Sequence, residues 1–230
     1  MIEGHIFKRY DGELNHLHYL TLEMGGLVLN QVRDAMEAFK TRNVQLAQKV
    51  VAMDSEVDRL EVDADGEIIK LIAKRCPVSS DLRLVIAVSK SVSDLERIGD
   101  EAVRIAGLVI ELFGEEGSEP NPKMLRDTNR MGEMAITSLR QAVELFDVWD
   151  EDKAHAVIAN HHEMDEEFQA DLRRLLTYVL EDTRNIGYAI SVVLVIKALE
   201  RIGHHAQNLA EYVVFQVRGD DIRYQQPGAV

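Results

Sequence analysis

Cysteine, proline and aromatic residues are all scarce in this chain, and each scarcity removes a class of protein. The one cysteine among 230 residues, Cys76, permits no intramolecular disulfide, which fits a reducing compartment. Four prolines and 6% aromatics speak against a β-sandwich and for helices built from Leu, Ala, Val, Glu and Arg. Long apolar runs are missing as well. The longest charge-free stretch, residues 185–196, stops at Lys197; it is too short to span a bilayer and reads as a buried helix. Residues 1–13 carry Glu3, Lys8, Arg9 and Asp11 and hold no apolar core of signal-peptide length. Positive charge is in deficit, since 26 Lys and Arg face 40 Asp and Glu for a net charge of −14. Such a chain is repelled by nucleic acid and by anionic lipid, so neither nucleic-acid binding nor membrane insertion is expected. Free phosphate is disfavoured too, unless a cation is bound first. A cytoplasmic location is the expectation.

What the chain does have is helical periodicity. With 46% hydrophobic residues it can bury enough apolar surface to offset the entropy of ordering, in one large domain or two small ones. Apolar residues recur at Leu46, Val50, Met53, Val57 and Leu60, then at Ala64, Ile68 and Leu71. Those steps of three and four draw one stripe along a helix that runs nearly to Pro77. A second stripe passes through Val85, Val88, Val92, Leu95, Gly99, Ala102 and Ile105, and a third through Leu27, Leu29, Val32, Ala35, Met36 and Phe39. Three long helices are therefore expected before Gly114, with breaks near residues 41–43 and 77–80. Ser80 or Asp81 is the expected N-cap of the third.

The pattern then repeats. Asp94–Ala106 lies over Ala198–Ala210 at an offset of 104, with Leu, Glu, Arg, Ile, Gly and two alanines coinciding. Met53–Asp58 lies over Asn160–Asp165 at an offset of 107, and Phe39 over Phe146 and Gly25 over Gly132 share that offset. The expected fold is all-α: two tandem three-helix bundles related by internal duplication. The units are read as 1–115 and 123–218, with a linker at 116–122 and a flexible polar tail at 219–230.

Chemistry concentrates at the duplicated segments. Asp54 and Asp58, and likewise Glu96 and Asp100, stand four apart and so share a helix face, where like charges repel unless a cation or a base intervenes. Each flanks a core-stripe residue, so neighbouring helices can bring both pairs to one edge. Four carboxylates on two helices make a hard oxygen site suited to Mg, Mn or Fe. In the second unit the matched positions hold His161 and Asp165, then Glu200 and His204, with His162 and His205 adjacent. Two imidazoles and two carboxylates favour Fe, Zn, Ni or Mn. Divalent or trivalent metal ions are thus the expected cofactors. An acidic chain also repeats such spacings by chance, and the plain reading is a solvated face in which Arg104 pairs with Asp100 and Lys197 with Glu200.

No residue is expected to be catalytic. A ferritin-like di-iron centre needs two Glu-x-x-His motifs, and only Glu13 with His16 fits. No phosphate-cradling glycine loop is present; Gly25, Gly26 and Gly99 lie within helical patterns, where they permit close helix contact. The alternative of another class is a metal-dependent hydrolase or oxidase built on the histidine-containing set.

These residues resemble the PhoU family. The likeness lies in Glu-Arg-Ile-Gly in both halves, in Met24-Gly25-Gly26, and in Lys74-Arg75-Cys76-Pro77 followed by Asp81-Leu82-Arg83. It continues through Tyr178 with Glu181-Asp182-Thr183-Arg184 and through Gln207-Asn208 and Glu211. The resemblance implies two helical bundles side by side, a homodimer, and metals held on paired acid-x-x-x-Asp motifs. Asp54, Asp58, Glu96, Asp100, Asp165 and Glu200 match that pattern, and His161 and His204 depart from it. It also implies a negative regulator of phosphate uptake and of the phosphate-starvation response. Such a regulator would act as an adaptor between the phosphate ABC transporter's ATPase subunit and the PhoR sensor kinase. Lys74, Arg75 and Arg83, at one hairpin end, form a candidate contact surface.

Overall fold

The computed structural model describes residues 8–114, 122–181 and 186–222. Six helices account for nearly all of them: α1 (Lys8–Thr41), α2 (Val44–Arg75), α3 (Ser79–Phe113), α4 (Pro122–Val148), α5 (Glu151–Glu181) and α6 (Ile186–Arg218). Among the described residues there is no strand. The expected linker lies mostly outside the described residues, as do the end of the expected tail, the first seven residues and the stretch from Asp182 to Asn185.

Local chemistry sets the helix ends. The Asn43 side chain accepts a hydrogen bond from the Leu46 amide at 3.0 Å and so caps α2. The helix ends at Cys76 in the left-handed region (φ 46°), followed by Pro77, which cannot continue it. The expected cap of α3 was Ser80 or Asp81, but the helix starts earlier. Val78 occupies the cap position with no side-chain hydrogen bond, and Asp81 instead accepts from the Tyr10 hydroxyl at 2.9 Å, tying α3 to α1. Between α4 and α5 the Asp150 carboxylate caps the Lys153 amide at 3.1 Å. Trp149, at φ 49°, turns its ring onto Phe146 and His18.

Helices α1, α2 and α3 pack pairwise into one bundle and α4, α5 and α6 into another. Two helix pairs join the bundles, α1 with α4 and α3 with α6, whereas α2 and α5 touch only helices of their own unit. The α1–α4 contact is antiparallel and nearly two-fold: Gly25 receives Val143, and Gly132 receives Met36. A Cβ at Gly25 would stand 2.9 Å from Val143 Cγ1, so the close approach depends on glycine. Gly26, expected to serve likewise, has open space around it. The apolar stripes form one continuous core, with Phe39, Phe146, Phe168, Leu95 and Ile98 among its fully buried members. Each such side chain contributes about 1.5–3 kcal/mol by leaving water. Met24, Met36, Met131 and Met164 fill that core. No helix among the described residues is long and apolar enough to cross a membrane. Residues 186–196 of the charge-free stretch lie in α6, where Tyr188, Ala189, Val192, Val195 and Ile196 are buried.

Candidate metal centre

The peripheral placement of α2 and α5 puts both expected ligand sets on the outer seams of the molecule, α2 against α3 and α5 against α6. In each seam a glycine lets the helices close up. A Cβ at Gly99 would lie 3.8 Å from Asp54 Oδ1 and 3.4 Å from Val57 Cγ1, and one at Gly203 would lie 3.4 Å from His161 Cε1 and 2.7 Å from Met164 Sδ. Gly99 and Gly203 are matched positions of the repeat, as are Asp54 and His161. The glycine of Glu-Arg-Ile-Gly therefore supports the first ligand position in both copies.

In the second bundle three expected ligands converge. His161 Nε2 lies 3.5 Å and His204 Nε2 3.6 Å from Asp165 Oδ1, and the two imidazole rings stand edge to face at 4.7 Å. Among the described residues, these three alone form a set of His, Cys, Asp or Glu side chains whose ligand atoms all lie within 4.8 Å of one another. His161 is only 5% exposed, and neither of its ring nitrogens has a hydrogen-bond partner in the protein. An imidazole buried without a partner is unusual, and a cation between it and Asp165 would satisfy it. Burial holds His161 below the usual histidine pKa, with Asp165 pulling the other way, so the ring is neutral and its nitrogen lone pair free to ligate. The donor set fits Zn, Fe, Ni or Mn. Glu200 is within electrostatic reach of His161, but its carboxylate accepts from Lys197 Nζ at 2.8 Å. Only Oε2 is engaged there, which leaves Oε1 as the oxygen that could join the other three.

The first bundle gathers its acids more loosely. Asp54 is held above the usual carboxyl value by burial and then by Asp58 and Asp100, with Gln31 opposing. Glu96 is raised in the same way, by burial, then Asp100, Glu61 and Asp58. Asp54, Asp58, Glu96 and Asp100 thus share one field, although their ligand atoms do not meet the close spacing of the second set. Glu61 belongs with them, raised by burial and then by Asp65, Asp58 and Asp100. The sequence reading missed it, though it stands seven residues after Asp54 on the same face. Its matched residue in the second copy is Phe168, whose ring lies 4.4 Å from Lys197 Nζ. A cluster of oxygens alone fits a hard cation.

Several other expectations change. Arg104 lies 3.6 Å from Glu101 instead of pairing with Asp100. His205, adjacent to His204 in the chain, points away from the centre: its Nδ1 lies 2.8 Å from Asp94 Oδ1. Arg75 is bound bidentately to Glu13 at 2.7 and 3.0 Å, and Arg83 reaches the Gln216 carbonyl at 3.5 Å. Both arginines of the candidate contact surface are thus half-buried and held by partners within the chain, while Lys74 is exposed. The sequence reading also missed an ionic network between α4 and α5, in which Arg130 and Arg174 bind Glu167 and the buried Asp171. Tyr178 closes it by donating to Asp127 at 2.9 Å.

An all-α duplicated bundle in which two histidines and an aspartate converge on one helix seam defines a class of helical repeat proteins. Comparison narrows the class. A family model described as the PhoU domain matches residues 21–109 and again 128–213. The two matches start 107 positions apart and end 104 apart, the same two offsets as the repeat. A phosphate-specific transport system accessory protein PhoU homolog of Pseudomonas putida is 40% identical over 220 residues, covering 96% of this chain and 85% of that one. The crystal structure of PhoU from Pseudomonas aeruginosa superposes with a TM-score of 0.86 at 38% identity, covering 92% of this chain and all of that one. The phosphate transport system regulatory protein PhoU from Streptococcus pneumoniae gives 0.83 at 25% identity, over 92% and 98%. The chain belongs to the PhoU family, whose members are accessory proteins and not an enzyme family.

Proposed function

We propose that this protein is a regulatory accessory subunit of a phosphate-specific transport system that restrains phosphate uptake and the starvation response. The observation that carries this reading is the likeness to a transport accessory protein across 96% of the chain. In this reading the protein acts as an adaptor in the cytoplasm, as a homodimer, between the transporter's ATPase subunit and the PhoR kinase. Rigid bundles suit such a role, because they offer fixed helical surfaces rather than a reactive pocket.

Metal ions belong to the same proposal. His161, Asp165 and His204, joined by Glu200, would hold one ion, and Asp54, Asp58, Glu96 and Asp100 another. The His161 imidazole, with no hydrogen-bond partner, supports the first assignment, and the raised carboxyls of Asp54 and Glu96 support the second. A bound cation would supply positive charge that removes the repulsion between carboxylates and clamps α2 to α3 and α5 to α6. It would also make these faces of an acidic protein acceptable to an anion.

The role is tested in a deletion strain grown in high phosphate with a starvation-regulon reporter. The reporter is expected to switch on and to fall again when the chain is restored; a reporter that stays off ends the regulatory reading. Metal content is tested by elemental analysis of protein purified without a histidine tag. Bound metal is expected in the native chain and reduced metal in H161Q/H204Q.

A further inference from the structure

At the contact between α3 and α6, charged side chains join the two bundles next to both ligand sets. Arg201 Nη1 donates to Glu101 Oε1 at 2.7 Å. The Tyr212 hydroxyl donates to Asp94 Oδ2 at 2.8 Å, and His205 Nδ1 lies 2.8 Å from Asp94 Oδ1. Asp94 is 3% exposed, so this pairing is well shielded from solvent.

Each of these residues except Asp94 and Tyr212 is the chain neighbour of a ligand. Glu101 follows Asp100, Arg201 follows Glu200 and His205 follows His204. Successive residues on an α-helix differ by about 100° in direction, so the ligand faces the outer seam while its neighbour faces the other bundle. A helix cannot turn one face without turning the other. The two ligand sets also differ in readiness. The second already brings three ligand atoms within 4.8 Å of one another, and the first must tighten to reach that spacing. Tightening around an ion draws on α3, and α3 is bonded to α6 through Glu101 and Asp94.

We propose that the two metal sites are thermodynamically linked, an ion in one changing the affinity of the other through the Glu101–Arg201 and Asp94–His205 contacts. The proposal rests on the metal reading given above. Linkage is reciprocal, and coupling of the usual size corresponds to a change of roughly 5-fold or more in the dissociation constant. The duplication would then have a use beyond size: two copies of one site, differing in ligands, joined by a charged seam whose acids are not repeated, although its arginine, Arg201, has Arg97 at the matched position. Asp94 has Ala198 at its matched position, and Glu101 has His205.

The test is calorimetric titration of the metal-free full-length chain with Mn²⁺. Wild type is compared with D54N/E96Q, which retains the second set, with H161Q/H204Q, which retains the first, and with the seam variant E101Q/R201Q. The wild-type isotherm is expected to depart from the sum of the two single-site isotherms by roughly 5-fold in one constant, and the seam variant is expected to collapse onto that sum. A wild-type isotherm equal to the sum overturns the proposal and leaves metal binding intact. Coupling that survives in the seam variant also overturns it, by assigning the linkage to another route. No heat of binding in wild type removes the metal reading itself. The exposed single variant R201Q, checked by thermal melting, serves if the double variant unfolds. As a second readout, Mn²⁺ added to H161Q/H204Q is expected to change amide exchange in residues 199–209, which hold none of the first set's ligands.

Discussion

Gly203 on α6 lies directly beneath His161 of α5, with no room for a methyl group between Met164 and the imidazole. A Cβ there would stand 2.7 Å from Met164 Sδ and 3.4 Å from His161 Cε1. G203A must push the flexible end of Met164 aside, and it sets a methyl group in contact with the imidazole edge. The expected loss is about 1–3 kcal/mol, typical of overpacking, or about 2–4 °C in Tm for each kcal/mol. The matched variant G99A meets Gln31 Oε1 at 3.3 Å and Val57 Cγ1 at 3.4 Å, gentler contacts. Differential scanning calorimetry should rank G203A below G99A, and G203A should also weaken Zn²⁺ binding. Equal melting temperatures would mean that the two glycines are not serving the same helix contact.

The same pair shows what could be read from sequence and what could not. The repeat of Leu-Glu-Arg-Ile-Gly and its offset exposed the duplication, because helical period and chain order survive without coordinates. The pairing of Asp165 with His161 and His204 was legible for the same reason: ligands four apart share a face. The direction of a neighbouring side chain was not. His204 and His205 differ by one position, and only the packing of α6 against α3 decides that the first meets Asp165 and the second Asp94. Arg75 and Arg83 looked like free surface charge for a related reason. Their partners, Glu13 and the Gln216 carbonyl, lie 62 and 133 positions away in the chain.

Acid response divides the candidate ligands. Asp54, Glu61 and Glu96 are held above the ordinary carboxyl value by burial first and then by neighbouring acids, Asp58 and Asp100 among them in every case. A carboxyl raised in the folded state holds its proton more tightly there than in the unfolded chain, so the fold loses stability as pH rises past the ordinary value. D54N should therefore melt higher than wild type in chelator near neutral pH. That gain should vanish below about pH 4, where the wild-type acids are themselves protonated. With Mn²⁺ present the order should reverse. A gain that persists at low pH would trace to packing instead of charge.

His161 gives a second titration. Burial depresses its pKa below the ordinary histidine value of 6.5. Between the depressed value and 6.5 the unfolded chain binds a proton that the folded chain does not, so stability falls with pH through that window. Metal-free wild type should lose more of its melting temperature between about pH 7.5 and pH 5.5 than H161Q, which has no imidazole to charge. Parallel curves would mean that His161 titrates alike in both states and is not desolvated in solution.

Asp94, which faces α6 from α3, should respond in the opposite sense to Asp54, which faces α3 from α2. Burial works to raise it, but hydrogen bonds from His205, Tyr212 and Asn208 and the His205 charge outweigh burial and hold it below the ordinary value. Its stabilisation is therefore present above the ordinary carboxyl value and is lost as pH falls through the depressed one. D94A leaves the Tyr212 hydroxyl and His205 facing each other with no carboxylate between them. Breaking a buried charged pair typically costs about 3–5 kcal/mol, which for a chain of this size is a fall of at least about 6 °C in Tm. The deficit should be largest near neutral pH and shrink in acid, where wild type loses the same charge. A cycle with Y212F separates the hydroxyl's share, and non-additivity of about 0.5–3 kcal/mol is expected for groups in direct contact. Additive losses would mean that Tyr212 and Asp94 stabilise the α3–α6 contact independently, each by packing alone.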